Sequence, residues 1–134
     1  MKTVLVLLLL ASSVFAANIM PVGTTLKSPL KKSVQTVWSA IVGSTNDVGL
    51  PVEGHQFRHK SVQCDGTFSS TVITIEGSND GTNYYPLKDP SNTAITCSAA
   101  GMFQINTPSR YIRPRVTTAG TGVALIVNLV MTVN

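Results

Sequence analysis

The sequence has little charge and few of the groups that do chemistry. Charged residues make up 12% of its 134 residues, with six acids against ten Lys and Arg, two histidines, two cysteines and only 6% aromatics. Each shortage excludes something. His55 and His59 lie in the polar segment EGHQFRHK, where no carboxylate or cysteine completes a ligand set, so they read as a polar surface edge rather than a metal pair. They are also the only histidines that could activate a serine or cysteine, and no nucleophile-elbow motif accompanies them. Glu53, Asp65, Glu76, Asp80 and Asp89 fall mostly at turn positions where solvation accounts for them, which argues against a converging pair for glycoside hydrolysis. No Gly-rich loop followed by lysine offers a phosphate cradle, and no CxxC spacing suggests zinc. The expectation is therefore no enzyme, no metal and no cofactor.

The net charge of +4 is dispersed. Lys27, Lys31 and Lys32 form one cluster, and Arg110, Arg113 and Arg115 a denser one, without an aromatic-interleaved stripe, so nucleic acid is not an expected partner.

What the sequence does contain is turn chemistry and β-branched runs. Ten glycines, seven prolines and abundant Ser, Thr and Asn suit short strands joined by turns. The fold class expected is all-β: an antiparallel β-sandwich, jelly-roll or Ig-like, of roughly seven or eight strands. Residues 1–16 have a positive start, a short apolar run and a small residue at Ala16, and read as a secretory signal peptide or hydrophobic N-terminal segment. Membrane contact is expected only through that segment, if it is uncleaved. Residues 17–33 read as an extended arm or linker and 34–134 as the sandwich domain. Val34 to Val42 fits both a helical and a strand spacing, and its context favours a strand.

The most legible stretch is TVITIEGSNDGTNYYPL, residues 71–87. A β-branched run reaches Gly77, Asn79-Asp80-Gly81 supplies residues tolerant of positive φ, and Tyr84 to Leu87 resumes an extended pattern. This predicts a tight β-hairpin with Ile73, Ile75 and Tyr85 in the core. The oxygen-rich loop lacks EF-hand spacing, so the turn reading is preferred over calcium. Trp38 and Tyr84 are candidate exposed aromatics, suited to a sugar platform if they lie on the surface.

Asp89-Pro90-Ser91-Asn92 marks a further turn, and residues 94–97 with 102–105 suggest a second hairpin. Arg110 to Val116 alternates, with Ile112 and Val116 inward and Tyr111, Arg113 and Arg115 outward; Pro114 favours an edge strand or a bulge. In the last strand, Val123 to Val133, the residues Val123, Leu125, Val127, Leu129, Met131 and Val133 share one face. The opposite face, with Ile126 and Val130, is apolar enough to call for cover by the arm, a second sheet or another subunit, burial within the domain being the simplest. Cys64 and Cys97 are an even pair in a chain with an export-like start, which suits a disulfide, while two buried thiols remain the alternative.

Several of these segments also occur together, in order, elsewhere. Trp38 before a loop ending in Leu50-Pro51-Val52, then Ser61-Val62-Gln63, Gly66-Thr67-Phe68, IEGSNDGTN at 75–83, Asp89-Pro90, Ala99-Ala100-Gly101 and RYIRP at 110–114 resemble a family of small tailed-bacteriophage structural proteins that decorate the virion. The resemblance spans residues 36–133. It implies a binding protein on the virion surface, attached to capsid or tail subunits as a decoration, cement or fibre-type module and capable of homo-oligomer formation. Tyr111, Arg113, Arg115, Ile126 and Val130 are then the candidate interface. The export-like start and the cysteine pair carry the alternative: a secreted or cell-surface β-sandwich acting as an adhesin, filament subunit or carbohydrate-binding module.

Overall fold

The computed structural model describes residues 18–19, 21–27, 33–41, 44, 47–120 and 124–133. The expected signal segment, 1–16, lies outside them. The described residues form twelve strands: β1 (Asn18–Ile19), β2 (Pro21–Lys27), β3 (Ser33–Ile41), β4 (Val48–Gly49), β5 (Val52–Glu53), β6 (His59–Thr67), β7 (Val72–Ser78), β8 (Tyr85–Pro86), β9 (Thr96–Cys97), β10 (Gly101–Gln104), β11 (Tyr111–Thr118) and β12 (Ala124–Thr132). Seven of them have four or more residues, which is the set that alternation makes legible.

The strands form two sheets packed as a sandwich. One runs β10-β6-β12-β3-β2; the other runs β1-β4-β11-β7-β8, with β5 also on β11 and β9 also on β7. All pairings are antiparallel except β1 with β4. The segment expected as a free arm is extended, but Pro21–Lys27 is hydrogen bonded along β3 and Asn18–Ile19 along β4. The sandwich therefore begins ahead of residue 34.

Alternation places the core. Leu125, Val127, Leu129 and Met131 of β12 meet Ile73 and Ile75 of β7 and Ile112 and Val116 of β11 in one buried cluster. Each such side chain contributes roughly 1.5–3 kcal/mol by leaving water. Trp38, expected as an exposed aromatic, belongs to this cluster at 1% exposure, and its indole N–H donates to the Leu50 carbonyl at 3.0 Å. Its strand is in phase with the core, and the hydrogen bond removes the cost of burying the indole nitrogen.

Pro114 corrects the edge-strand expectation in an instructive way. β11 is flanked on both sides, by β7 along its length and by β4 and β5 opposite. Ile75, the partner of Pro114, directs its own N–H and C=O away, to Ile95 and Leu87. The missing N–H of Pro114 thus faces the gap between β4 and β5, where no ladder bond is required. Gly49 lines that gap; a Cβ there would come within 2.6 Å of the proline ring and 2.7 Å of Trp38.

The second expected hairpin does not form. β9 pairs with β7 in one sheet and β10 with β6 in the other, so the chain crosses between sheets over residues 98–100. The Cys64–Cys97 disulfide joins β6 to β9, with Cα atoms 6.3 Å apart, and so ties the two sheets together.

Candidate functional site

The sequence-predicted interface residues fall on two faces that point away from each other. Tyr111, Arg113 and Arg115 lie on the outer face of the β11–β7 sheet, while Ile126 and Val130 lie on the outer face of the β12–β6 sheet. They do not form one site.

On the first face, register sets the chemistry. Arg113 is directly opposite Glu76, Arg115 opposite Thr74 and Tyr111 opposite Ser78. The Glu76 side chain is almost wholly buried, and Arg113 donates to its Oε2 from Nε at 3.1 Å and Nη2 at 3.0 Å. Arg115 Nη1 reaches Oε1 at 3.4 Å. The Arg113 guanidinium also lies 3.5 Å from the centroid of the Tyr84 ring. Tyr84 is therefore half-buried as one wall of an ion pair, and burial raises its phenol pKa while Arg113 lowers it. This arrangement satisfies a buried carboxylate inside the chain, where one partner's removal would leave an uncompensated charge. It leaves the Arg113 guanidinium engaged within the molecule rather than presented to a partner.

The hairpin loop next to it is also self-contained. The carboxylate of Asp80 accepts from Ser78 Oγ, Thr82 N–H and Asn83 N–H at Oδ1 and from Asn83 Nδ2 at Oδ2, each at 2.8 Å. These donors hold its pKa well below the usual carboxylate range. The loop is wider than a two-residue turn, since Gly77 pairs with Tyr85, and of its residues only Gly81 has positive φ, at 77°. Tyr85, expected in the core, is 69% exposed; β8 is two residues long, and its side chain lines an open cleft with Pro86, Thr107 and Pro108.

The second face is of another kind. Across it run Met102, Gln63, Asn128 and Val37 in one row and Gln104, Ser61, Val130 and Gln35 in the next. Ile126 opposes Asp65 at 39% exposure, and Met102 is 69% exposed. Among the described residues nothing provides the expected burial of this face within the domain, because both sheets already contribute their other faces to the core. A shallow depression of about 380 Å³ lies between Met102, Gln104, Val130 and Thr132.

A third feature escaped the sequence reading. Lys60 is in phase with Val62 and Cys64 on β6, so its stem runs inward to the end of the sandwich, near Gly54 and Met131. The alternation itself was the signal, because a lysine at an inward position stands out. His55 lies in the turn before β6 and His59 at its start, both exposed, and among the described residues no three metal-ligating side chains come together.

No family model matches the sequence, and no curated protein matches it. Among solved structures, the fold is similar to that of the SPBc2 prophage-derived protein YomS in its crystal structure, with 14% identity and a TM-score of 0.54 over 75% of this chain and 95% of that one. At that identity the likeness establishes a shared fold: an all-β sandwich that also occurs in a prophage-derived protein.

Proposed function

We propose that this protein is a bacteriophage virion structural protein that binds the capsid or tail surface as a decoration, cement or fibre-type module. The observation that carries the reading is the fold shared with a prophage-derived protein, over nearly the whole of that chain. The phage-protein resemblance of the IEGSNDGTN and RYIRP segments supports it. The contact surface in this reading is the open β12–β6 face. Its exposed Met102 and Ile126 and its half-buried Val130 offer apolar area among Gln, Ser and Asn, with Asp65 opposite Ile126. Tyr111, Arg113 and Arg115 are secondary, since Glu76 holds both arginines.

The test is co-sedimentation with purified particles. Wild-type protein is expected in the particle fraction, and the double variant Met102→Asp, Ile126→Asp is expected in the soluble fraction. Wild-type protein absent from particles overturns the virion reading; undiminished occupancy of the double variant removes this face from it. Replacing Arg113 and Arg115 by Glu checks the other face, with loss of folding measured alongside.

The disulfide favours a second reading, an adhesin, filament subunit or carbohydrate-binding module outside the cell, because such bonds persist in oxidising compartments. Mass spectrometry of the mature N-terminus, with glycan binding in the absence of particles, would select it.

A further inference from the structure

The end of the sandwich between the 55–58 turn and the 105–110 loop holds a cleft of about 450 Å³, and its charge is one-sided. Lys60 forms part of its wall at 8% exposure, joined by Arg58, Arg110 and His55. Among the described residues no ion pair or side-chain hydrogen bond engages Lys60 or Arg58. The chain's six acids are all placed, and none serves this cleft's lysine. Glu76 is held by Arg113 and Arg115, Asp80 by its own loop, Asp89 by Ser91 and Thr93 N–H, Asp47 by Ser44 N–H and Asp65 by Gly66 N–H. Among the described residues Glu53 pairs with Arg110, at 3.3 Å and half-exposed on both sides, a contact weak enough for a ligand to displace. The Lys60 stem is buried and its ammonium opens onto the cleft without a counter-charge, and burial lowers its pKa.

The rest of the wall is uncharged and mixed: Asn79, Asn106 and Thr107 carry hydrogen-bonding groups, beside the apolar Phe57, Ile105 and Pro108. Ser109 borders the cleft too, but its Oγ is closed to solvent and lies on the Gly77 side.

We propose that this cleft binds an acidic saccharide unit, its carboxylate or sulfate received by Lys60 and Arg58 and its hydroxyls by Asn79, Asn106 and Thr107. Cationic side chains supply charge-assisted bonds to an oxyanion. The cleft is much larger than one oxyanion requires, and its neutral wall suits the hydroxylated body attached to it. No exposed Phe, Tyr or Trp lines it to stack a nucleobase, as Phe57 is buried. The inference goes beyond virion attachment and does not depend on it.

The test is amide chemical-shift titration of the full chain with glucuronate, its uncharged methyl ester, glucose 6-sulfate, and inorganic sulfate and acetate. Glucuronate or glucose 6-sulfate is expected to shift residues 55–60 and 105–110 with a Kd in about the millimolar range. Which of the two binds tighter identifies the acid. The methyl ester is expected to bind about tenfold more weakly than glucuronate. Arg58→Gln, at an exposed side chain that folding does not need, and Lys60→Met, which keeps the buried stem, are each expected to weaken binding about fivefold or more. The proposal is overturned if neither acidic sugar shifts these residues at about 50 mM, or if both variants bind as wild type. It is also overturned if sulfate or acetate binds as tightly as the sugars.

Discussion

The two outer faces of this sandwich solve the same problem with opposite chemistry. Each belongs to a sheet whose other face is in the core, and each has half-buried positions. The β11–β7 face fills them with a buried carboxylate, two arginines and a tyrosine ring that satisfy one another. The β12–β6 face carries Met102, Ile126 and Val130 among polar residues of which Asp65, opposite Ile126, is charged, with nothing closing over them among the described residues. The difference teaches where stability and where binding reside. Ionic groups that are deeply buried and paired are costly to disturb, whereas exposed apolar groups contribute little to the fold and are available to a partner.

The largest expected effect concerns what joins the faces. Cys64→Ser with Cys97→Ser removes a cross-link closing a loop of sequence separation 33 between the sheets, and the loss is expected to be about 3–4 kcal/mol in denaturant unfolding. A loss below about 1 kcal/mol would mean that the hydrophobic core alone holds the sheets in place.

Next comes the ionic face. Arg113→Met removes two of the three hydrogen bonds that Glu76 receives from the arginines, and is expected to cost about 2–4 kcal/mol. Adding Glu76→Gln to Arg113→Met is expected to restore part of that loss, since the unpaired buried charge is then gone. If the double variant is no more stable than Arg113→Met alone, the arginine acts through packing on Tyr84 instead.

How much of this was legible from the sequence follows the length of the strands. The alternation of Leu125, Val127, Leu129 and Met131, and the outward Tyr111, Arg113 and Arg115, are visible because long strands repeat the pleat many times. β8 and β9 have two residues each, so Tyr85 lies outside the core and β9 pairs with β7 rather than with β10. Local pattern carries no information on which sheet a short strand joins. Neither does it reveal that Glu76, an apparent turn acid, sits opposite Arg113, because that pairing spans a sequence separation of 37. Lys60 was readable by phase alone, although only the fold puts Arg58, Ser109 and Arg110 beside it.

The hairpin loop lies between the two extremes. Asp80 is fully exposed, yet its folded-state pKa is depressed by donors the unfolded chain lacks. A depressed carboxylate contributes stability above its unfolded pKa of about 4, and that contribution is lost as pH falls below this value toward the folded pKa. Asp80→Asn is therefore expected to lessen the decline in stability on acidification below about pH 4. Hydrogen exchange at Thr82 and Asn83 should be faster in the variant at neutral pH. An unchanged acid profile would place the acid sensitivity elsewhere.

The smallest expected effect is the sharpest test of the contrast. Met102→Lys and Ile126→Lys lie on the open face, where the side chains have little protein around them to lose, and each is expected to change stability by no more than about 0.5 kcal/mol. The same substitutions place one charge beside Gln63 and another opposite Asp65, so any partner docking there must desolvate them. Stability unchanged with binding lost assigns the face to recognition. Stability reduced by about 2 kcal/mol would instead mean that Met102 or Ile126 is covered within the folded chain, and the two faces would then differ in composition but not in role.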